Sequence, residues 1–475
     1  MGARETRVVV VGAGPAGLVT SIVLARYGVP VLLVDKHEPS PLARALSVSM
    51  RSMEILRSWG LEDAVRAGGA EVEPRAWAGR TLASQDGVEI PLGAPTAGES
   101  AVVSPTRPAW VPQHHLERVL EGAACSYPEL TIMRGVELVE LERARDEVVL
   151  VLRDLNSGDM ERVATEYVVG ADGAHSVVRE QLGLKLVGPD DLGEYHRIEF
   201  RADLSGLLGA RRFGLYVLTH PDATGVLVLR GPDGYWGFNR EWHEGEPRMV
   251  DQSDDWVVAL IQRALGDPSV PVTVERSSTF AFAAQIADRY RAGRGFVVGD
   301  AAHRMTPRGG TGMNTAIQDG FDLGWKLAWV LQGWAREQLL ETYESERRPV
   351  GEHNVARSAQ PDGAGRDAEE SFAWDLAGRV PHLWVDDART VSTLDLVGPG
   401  LTHLAGPSAQ DGVPRPRGPL APLVERRLDA RTADALGLAH DGVVALRPDG
   451  KFWSPPVVVA NGPGPVWPLA AVIRA

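Results

Sequence analysis

The chain of 475 residues has one cysteine, Cys125. No intramolecular disulfide can form, and a cysteine-pair redox centre or a multi-thiolate metal site is excluded. Lysine is also scarce, standing only at positions 36, 185, 326 and 451, so arginine carries most of the positive charge. There is no basic excess. The 49 Lys and Arg against 63 Asp and Glu leave a formal net charge of -14, which argues against a nucleic-acid binder. No apolar run is long enough to span a bilayer, and residues 1–6 lead straight into a strand pattern without the marks of a signal peptide. A cytoplasmic location with no membrane association is the expectation. No internal repeat, low-complexity run, nucleophile triad or metal-ligand cluster stands out. What remains, 44% hydrophobic and 24% charged residues, is ordinary for a soluble globular protein. The length predicts two or three domains.

The first positive signal is at the start. Val8 to Val11 is a continuous β-branched run, the pattern of a buried parallel strand. Gly12-Ala13-Gly14-Pro15-Ala16-Gly17 follows directly, and Leu18, Ile22 and Ala25 continue at helical spacing. A second apolar strand, Val31 to Val34, ends in Asp35. A G-x-G-x-x-G turn between strand and helix, with an acid about 20 residues on, is the dinucleotide fingerprint. Its glycines permit a tight turn, close approach of a pyrophosphate and close packing of helix on strand, while the acid accepts from a ribose hydroxyl.

The middle of the chain changes character twice. A short helix over Met50 to Trp59 ends at Gly60, a suitable left-handed cap. Arg44, before it, fits a phosphate contact and a surface ion pair equally well. Gln113 opens an amphipathic helix and fits either a helix cap or a donor to a cofactor hydroxyl. Tyr167-Val168-Val169-Gly170-Ala171-Asp172-Gly173 is a further buried strand ending in an acid, with a plain Asp-Gly turn as its bland alternative. From Gly193 to about Ala284, strands over Phe213 to Leu218, Gly225 to Leu229 and Gly234 to Asn239 read as antiparallel. The sequence Gly231-Pro232-Asp233-Gly234 joins the last two as a hairpin turn. Tyr216, Tyr235, Trp236, Phe238 and Trp242 gather there, and such an aromatic face serves either as core or as the wall of a pocket for a flat substrate.

A second nucleotide-like signal comes late. Gly295 to Val298 is an apolar strand that delivers Asp300. A glycine-dense turn follows, Arg308-Gly309-Gly310-Thr311-Gly312, and a helix opens near Met313 and Asn314. Such a turn lets backbone N–H groups approach a ligand, and the helix N-terminus favours negative charge. Ile317, Phe321, Gly324, Ala328 and Leu331 share one face of that helix. Pro361 to Asp367 is a polar, Gly-rich candidate linker.

These three strand-to-acid turns, with Gly299-Asp300-Ala301-Ala302-His303 and Gly309-Gly310-x-Gly312-x-Asn314 in the last, resemble the single-component (group A) FAD-dependent aromatic hydroxylases. The bacterial phenol and aromatic-polyketide monooxygenase branch is the most similar, and the likeness spans essentially the whole chain. It implies an α/β fold with three parts. Residues 1–75, 101–190 and 285–360 would form a discontinuous Rossmann-like FAD-binding domain. Residues 76–100 and 191–284 would form an inserted antiparallel-sheet substrate domain, and 368–475 a thioredoxin-like domain without cysteines.

The resemblance also implies roles. Gly12, Gly14, Ala16, Gly17 and Asp35 would hold the ADP half of FAD. Arg44 and Gln113 would lie at the pyrophosphate and ribityl chain, Asp172 in a motif tied to both FAD and NAD(P)H, and Asp300 at the ribityl hydroxyls. Pro307, Gly310, Gly312, Met313 and Asn314 would run along the isoalloxazine, whose negative charge on reduction suits a helix N-terminus. NAD(P)H would reduce the flavin, O2 would add to give a C4a-hydroperoxide, and an electron-rich ring would attack it. The co-substrates would be a small aromatic molecule and O2, and a homodimer is compatible with the family. Pro307, Tyr216 and His220 are the candidate catalytic side chains, while Tyr216, Trp236 and Phe238 are the candidate substrate-pocket residues. His303 reads as structural. Thr306 and Arg308 depart from the family pattern, as does everything after Gly450. A single G-x-G-x-x-G disfavours a separate nicotinamide domain. The rival outcomes are a Baeyer–Villiger oxygenation on the same scaffold and a flavin-binding protein that only binds a small molecule.

Overall fold

The computed structural model describes residues 6–40, 44–143, 146–231, 234–363, 368–410 and 421–453. The Pro232-Asp233 centre of the expected hairpin, the end of the candidate linker and most of the tail after Gly450 lie outside them. At the centre is a six-stranded sheet. Its parallel strands Leu130–Arg134, Val31–Asp35, Val8–Val11, Tyr167–Gly170 and Gly295–Val297 lie side by side, with Arg291–Ala292 antiparallel at the edge. The β-branched runs sit in the middle because both faces are covered. Val8, Val9 and Val10 are wholly buried between the helices Pro15–Arg26 and Gln113–Ala124 and the rest of the core. The three strands that lead to acids run parallel in this sheet, Tyr167–Gly170 beside Gly295–Val297 and Val31–Asp35 across Val8–Val11 from them, so Asp35, Asp172 and Asp300 all lie at its carboxyl edge, where doubly wound folds bind ligands.

A seven-stranded sheet stands against that edge, in the order Thr273–Ala281, Glu194–Arg201, Tyr235–Trp242, Gly225–Gly231, Phe213–Leu218, Glu73–Gly79, Val88–Pro91. All its pairings are antiparallel except Phe213–Leu218 with Glu73–Gly79, which run parallel. One face packs on the helix Asp254–Leu265 through Phe200, Tyr216, Leu218, Trp236 and Phe238, forming a second core. The C-terminal part is thioredoxin-like. Leu401–Ala405 lies between Leu423–Arg427, parallel to it, and Val443–Leu446, antiparallel. Cysteine is absent from it.

Buried ion pairs fasten the last part to the first. Arg379 donates to Glu54 Oε1 (2.8 Å) and to the Val103 carbonyl (2.7 Å), with both ionic side chains almost without exposure. Burial pushes the Glu54 carboxyl up, but Arg379 and Arg51 outweigh it and hold the group below the ordinary carboxylate range. A carboxyl lowered by folding stabilises above its unfolded pKa and loses that contribution as pH falls through the folded value. Arg379→Met leaves Glu54 buried without its main partner. It is expected to cost about 3–5 kcal/mol in urea denaturation at neutral pH. The deficit against wild type should narrow on acidification.

Candidate functional site

Between the carboxyl edge of the first sheet and the free face of the second lies a cavity of about 1930 Å³. That exceeds the ~300–1,000 Å³ of a site for one drug-sized ligand. Gly12, Gly14, Ala16, Asp35, Arg44, Gln113, Asp172, Asp300, Pro307, Gly310, Gly312, Met313 and Asn314 all line it.

The N-terminal turn is shaped by what its glycines leave empty. A Cβ on Gly17 would stand 1.8 Å from the Gly12 carbonyl oxygen, and one on Gly12, whose φ is +105, would meet the Ala171 oxygen at 2.3 Å. Gly14 has no protein atom within 4 Å of its would-be Cβ, so its bare side faces the cavity. The helix Pro15–Arg26 begins there with no side-chain cap and no acid in its first turn, so its N-terminal charge is unneutralised by the chain. Asp35 closes the turn, accepting from the N–H of Ala13 (2.6 Å) and of His37 (2.7 Å). Asp172 accepts from the Ser176 hydroxyl and the Val178 N–H. Burial raises its carboxyl above the usual range despite those donors. Gln113 accepts from Ala45 N–H (3.2 Å) and donates to Glu117 (2.8 Å), so it holds the loop carrying Arg44.

The second turn faces the first. Asp300 opens to the cavity on one side and is crowded by protein on the others, and that crowding raises its carboxyl against the pull of His303, Arg44 and Arg304. The turn's conformation needs its glycines: Gly309 and Gly310 have φ of +82 and +62. Helix Gly312–Leu331 then opens at Thr311, again without a side-chain cap or a first-turn acid. Asn314 ties the turn to the Ser47–Ser49 segment, accepting from Ser49 N–H (2.7 Å) and donating to the Ser47 (2.9 Å) and Gly310 (3.0 Å) carbonyls. Thr306 is buried and donates to the Ser358 carbonyl (2.6 Å).

Asp319 and Arg347 are residues that sequence reasoning missed. Asp319 is fully buried beneath the turn. It accepts from His303 Nε2 (2.6 Å), Arg347 Nε (2.8 Å) and Gly299 N–H (3.3 Å). Burial pushes the carboxyl up, but Arg347 and His303 outweigh it and hold Asp319 below its ordinary range. His303 is therefore a buried partner in this network. The sequence carried no signal for it, because Asp319 shares its side of the helix with Thr315, Asp322 and Lys326 and reads as part of a polar face.

The sheet wall corrects three candidates. Side chains alternate across a strand. Tyr195, Arg197, Leu215, Val217, Val226, Val228, Asn239 and Glu241 face the cavity. Tyr216, Trp236 and Phe238 therefore point the other way, into the second core, at 1%, 3% and 0% exposure. They are neither pocket wall nor catalytic groups. His220 is no acid or base for the cavity either. Its Nδ1 accepts from the Asp222 N–H (3.2 Å) in its own turn, and its neighbours Pro221 and Thr224 line the cavity instead. Pro307 is exposed on the cavity surface.

In their place stands an aromatic stack. Tyr195 lies on Phe282 with centroids 3.7 Å apart and near Phe280 at 5.7 Å. Its hydroxyl donates to Glu241 Oε2 (2.9 Å) and accepts from Arg308 Nη2 (3.2 Å). Burial and the Glu241 carboxylate push the Tyr195 phenol up to about 12, against the opposing pull of Arg308. The departure at Arg308 thus joins the glycine turn to the sheet wall.

The family described as FAD binding domain matches residues 5–358. The chain is 32% identical to tetracenomycin A2 monooxygenase-dioxygenase of Streptomyces glaucescens, covering 95% of this chain and 93% of that protein. It resembles the crystal structure of aklavinone-11 hydroxylase with FAD and aklavinone at 30% identity and a TM-score of 0.82, over 95% of each chain. It also resembles flavin-dependent monooxygenase PieE in complex with FAD and substrate, at 27% identity and a TM-score of 0.83, over 94% and 95%. Against two further Streptomyces relatives, 37% and 36% identical, the chain spans 57% and 65% of their length.

The two glycines of the first turn give opposite expectations. Gly17→Ala pushes a methyl into a carbonyl and is expected to destabilise the FAD-free protein by about 1–3 kcal/mol. Gly14→Ala meets only cavity, so urea denaturation should find stability within about 0.5 kcal/mol of wild type. FAD titration of the same variant should show weakened binding.

Proposed function

We propose, from the premise that this chain belongs to the FAD binding domain family of flavoproteins and to its aromatic-hydroxylase branch, that it is an NAD(P)H-consuming monooxygenase of a phenolic or polycyclic aromatic molecule. The observation that carries this reading is the shared cavity. Two uncapped helix N-termini, the three acids of the sheet edge and a separate aromatic wall all open onto one space.

The residues present fit FAD. Gly14 leaves room where a pyrophosphate would lie against a helix N-terminus. Asp35 stands at the end of the second strand for the ribose of the ADP half, with Arg44 and Gln113 beside the same groove. Asp300 has its open face in the cavity for the ribityl hydroxyls. The N-terminus of Gly312–Leu331, with Pro307, Gly310, Met313 and Asn314 around it, provides positive potential for the ring. FAD, when bound, supplies the electron transfer and oxygen activation that no side chain here can provide.

The chain's own work is positioning and proton handling. Tyr195, kept protonated at neutral pH, presents its hydroxyl between Arg308 and Glu241. Glu241 is the carboxylate at that pair. It is placed to take the proton of a substrate phenol through the Tyr195 hydroxyl, which makes the ring more electron-rich. Leu215, Val217, Val226 and Val228 form an apolar floor against which a flat ring system excludes water.

Purified protein is expected to retain FAD and to oxidise NAD(P)H faster when an aromatic substrate is present, with a product one oxygen atom heavier by mass spectrometry. Protein that binds FAD and aromatics without stimulated NAD(P)H oxidation is a binding protein and not an oxygenase. Asp300→Ala is expected to weaken FAD about tenfold or more, the scale of a hydrogen bond to a charged group, at unchanged fold by circular dichroism. Tyr195→Phe and Glu241→Gln should slow product formation about 10²-fold at full flavin content. Unchanged turnover in both removes the pair from the reaction.

A further inference from the structure

The cavity face of the seven-stranded sheet carries more positive charge than a neutral aromatic needs. Arg197, Arg230 and Arg276 all line it, and Arg308 reaches in from the glycine turn. The three sheet arginines are not equivalent. Arg230 is buried and pairs with Glu199 (3.1 Å), and Tyr235 donates to the same carboxylate (2.6 Å). Gly237 makes this possible, since a Cβ there would stand 2.7 Å from Arg230 Cδ. Glu199 is thereby tied to Arg230 and Tyr235 within the wall, and reaches Arg197 only through its field and not as an ion pair.

Arg197 has no such partner. It sits in the row between Asn239 and Ser278, donates Nε to the Asn239 amide oxygen (2.9 Å) and lies 4.6 Å over the Phe280 ring. Among the described residues no carboxylate comes within 4.0 Å of it. Burial and Arg230 press its charge, lowering it to about 10. Arg308 is held alike, 5.2 Å over Phe282, and among the described residues its side chain donates to the Tyr195 hydroxyl and the Ala359 carbonyl (3.4 Å). Two guanidinium groups are thus fixed on aromatic faces and amide or hydroxyl oxygens, beside the apolar strip of Val217, Val226 and Val228. A guanidinium held as a planar fork and short of an anion recognises a carboxylate in particular.

We propose that the substrate is an aromatic carboxylic acid, its carboxylate read by Arg197 with Arg308 as the second cation and its rings lying on the apolar strip. This deepens the oxygenase reading of the same cavity and rests on it.

The test is equilibrium dialysis of the FAD-loaded protein with one-, two- and three-ring hydroxy-aromatic acids, such as 3-hydroxy-2-naphthoate, against their carboxamides. Wild type is expected to prefer the acid by about tenfold or more in the best ring size, the scale of one charge-assisted hydrogen bond. Arg197→Met should bring acid and amide to equal affinity with amide binding unchanged, and Arg197→Lys should keep part of the preference. Should Arg197→Met fold poorly, Arg308→Gln is expected to lose part of the same preference. Equal binding of acid and amide by wild type at every ring size overturns the proposal. So does a loss in Arg197→Met that strikes both ligands alike, or one confined to the KM for NAD(P)H, which would assign the arginine to the dinucleotide. Acid selectivity without any oxygenated product would leave this subsite standing and sink the oxygenase reading.

Discussion

The site depends on the contact between two helices nearly three hundred residues apart, Pro15–Arg26 and Gly312–Leu331. They cross at backbone distance. A Cβ on Gly320 would stand 2.5 Å from the Ala16 carbonyl oxygen, and one on Gly324 would be 2.8 Å from Val23 Cβ. Gly299, between the strand and the second turn, has room for no more than contact with Ala16 and Ala316. Only this spacing brings both uncapped N-termini to one cavity. Each N-terminus supplies about half a positive charge, and neither first turn contains an acid to neutralise it. Two glycine signals in the sequence become one electropositive cradle because the helices behind them can touch.

So close a contact buries the second helix on nearly every side, and its polar residues must then be paired. Asp319 meets His303 and Arg347, and Asp322 meets Lys326 (2.7 Å), which also approaches Glu346 (3.2 Å). Arg447, from the C-terminal part, binds Glu346 and Asp449. The acids Asp322, Glu346 and Asp449 bring their oxygens within 4.8 Å of one another. Lys326, Arg447 and Lys451 stand among them, so the cluster is a charge-balanced junction between parts of the chain. The same helix that presents its N-terminus to the cavity therefore anchors the thioredoxin-like part at its far end, where Trp329 stacks on Trp453.

Much of this was legible. Val8 to Asp35 has a period, a turn and a spacing that admit few folds, and the Gly299–Asn314 stretch repeats the logic. The turn at Asp172 was legible by analogy with both. Asp319 and Arg347 were not, because a polar residue in a helix looks the same whether it meets solvent or a buried partner some 28 positions away. The sheet misled for another reason. Strand alternation sorts residues into two faces without saying which face is inside. Tyr216, Trp236 and Phe238 share one face, and a helix downstream, Asp254–Leu265, covers it. The signal that would have chosen the face was the row Tyr195, Arg197, Glu199 alternating with His196, Ile198 and Phe200. Charges on one side and large apolar groups on the other place the core under the aromatics.

That alternation bears on selectivity more than on folding. A cavity wall of arginines would be a liability in a dry core, and its most deeply buried arginine is therefore paired in place. Arg230 is held by Glu199, and Glu241 by the Tyr195 hydroxyl. Arg197 and Arg308 are left fixed in direction and backed by rings. When a flat ligand displaces water from such a wall, the local dielectric falls and each remaining charge discriminates more sharply between a ligand that answers it and one that does not. Arg308 gives this wall a connection to the glycine turn, so a group bound at the sheet and a ring bound at the helix N-terminus would share a hydrogen-bonded neighbour. Of the two departures from the family pattern at this turn, Thr306 is buried against Ser358 and Arg308 joins the two halves of the cavity.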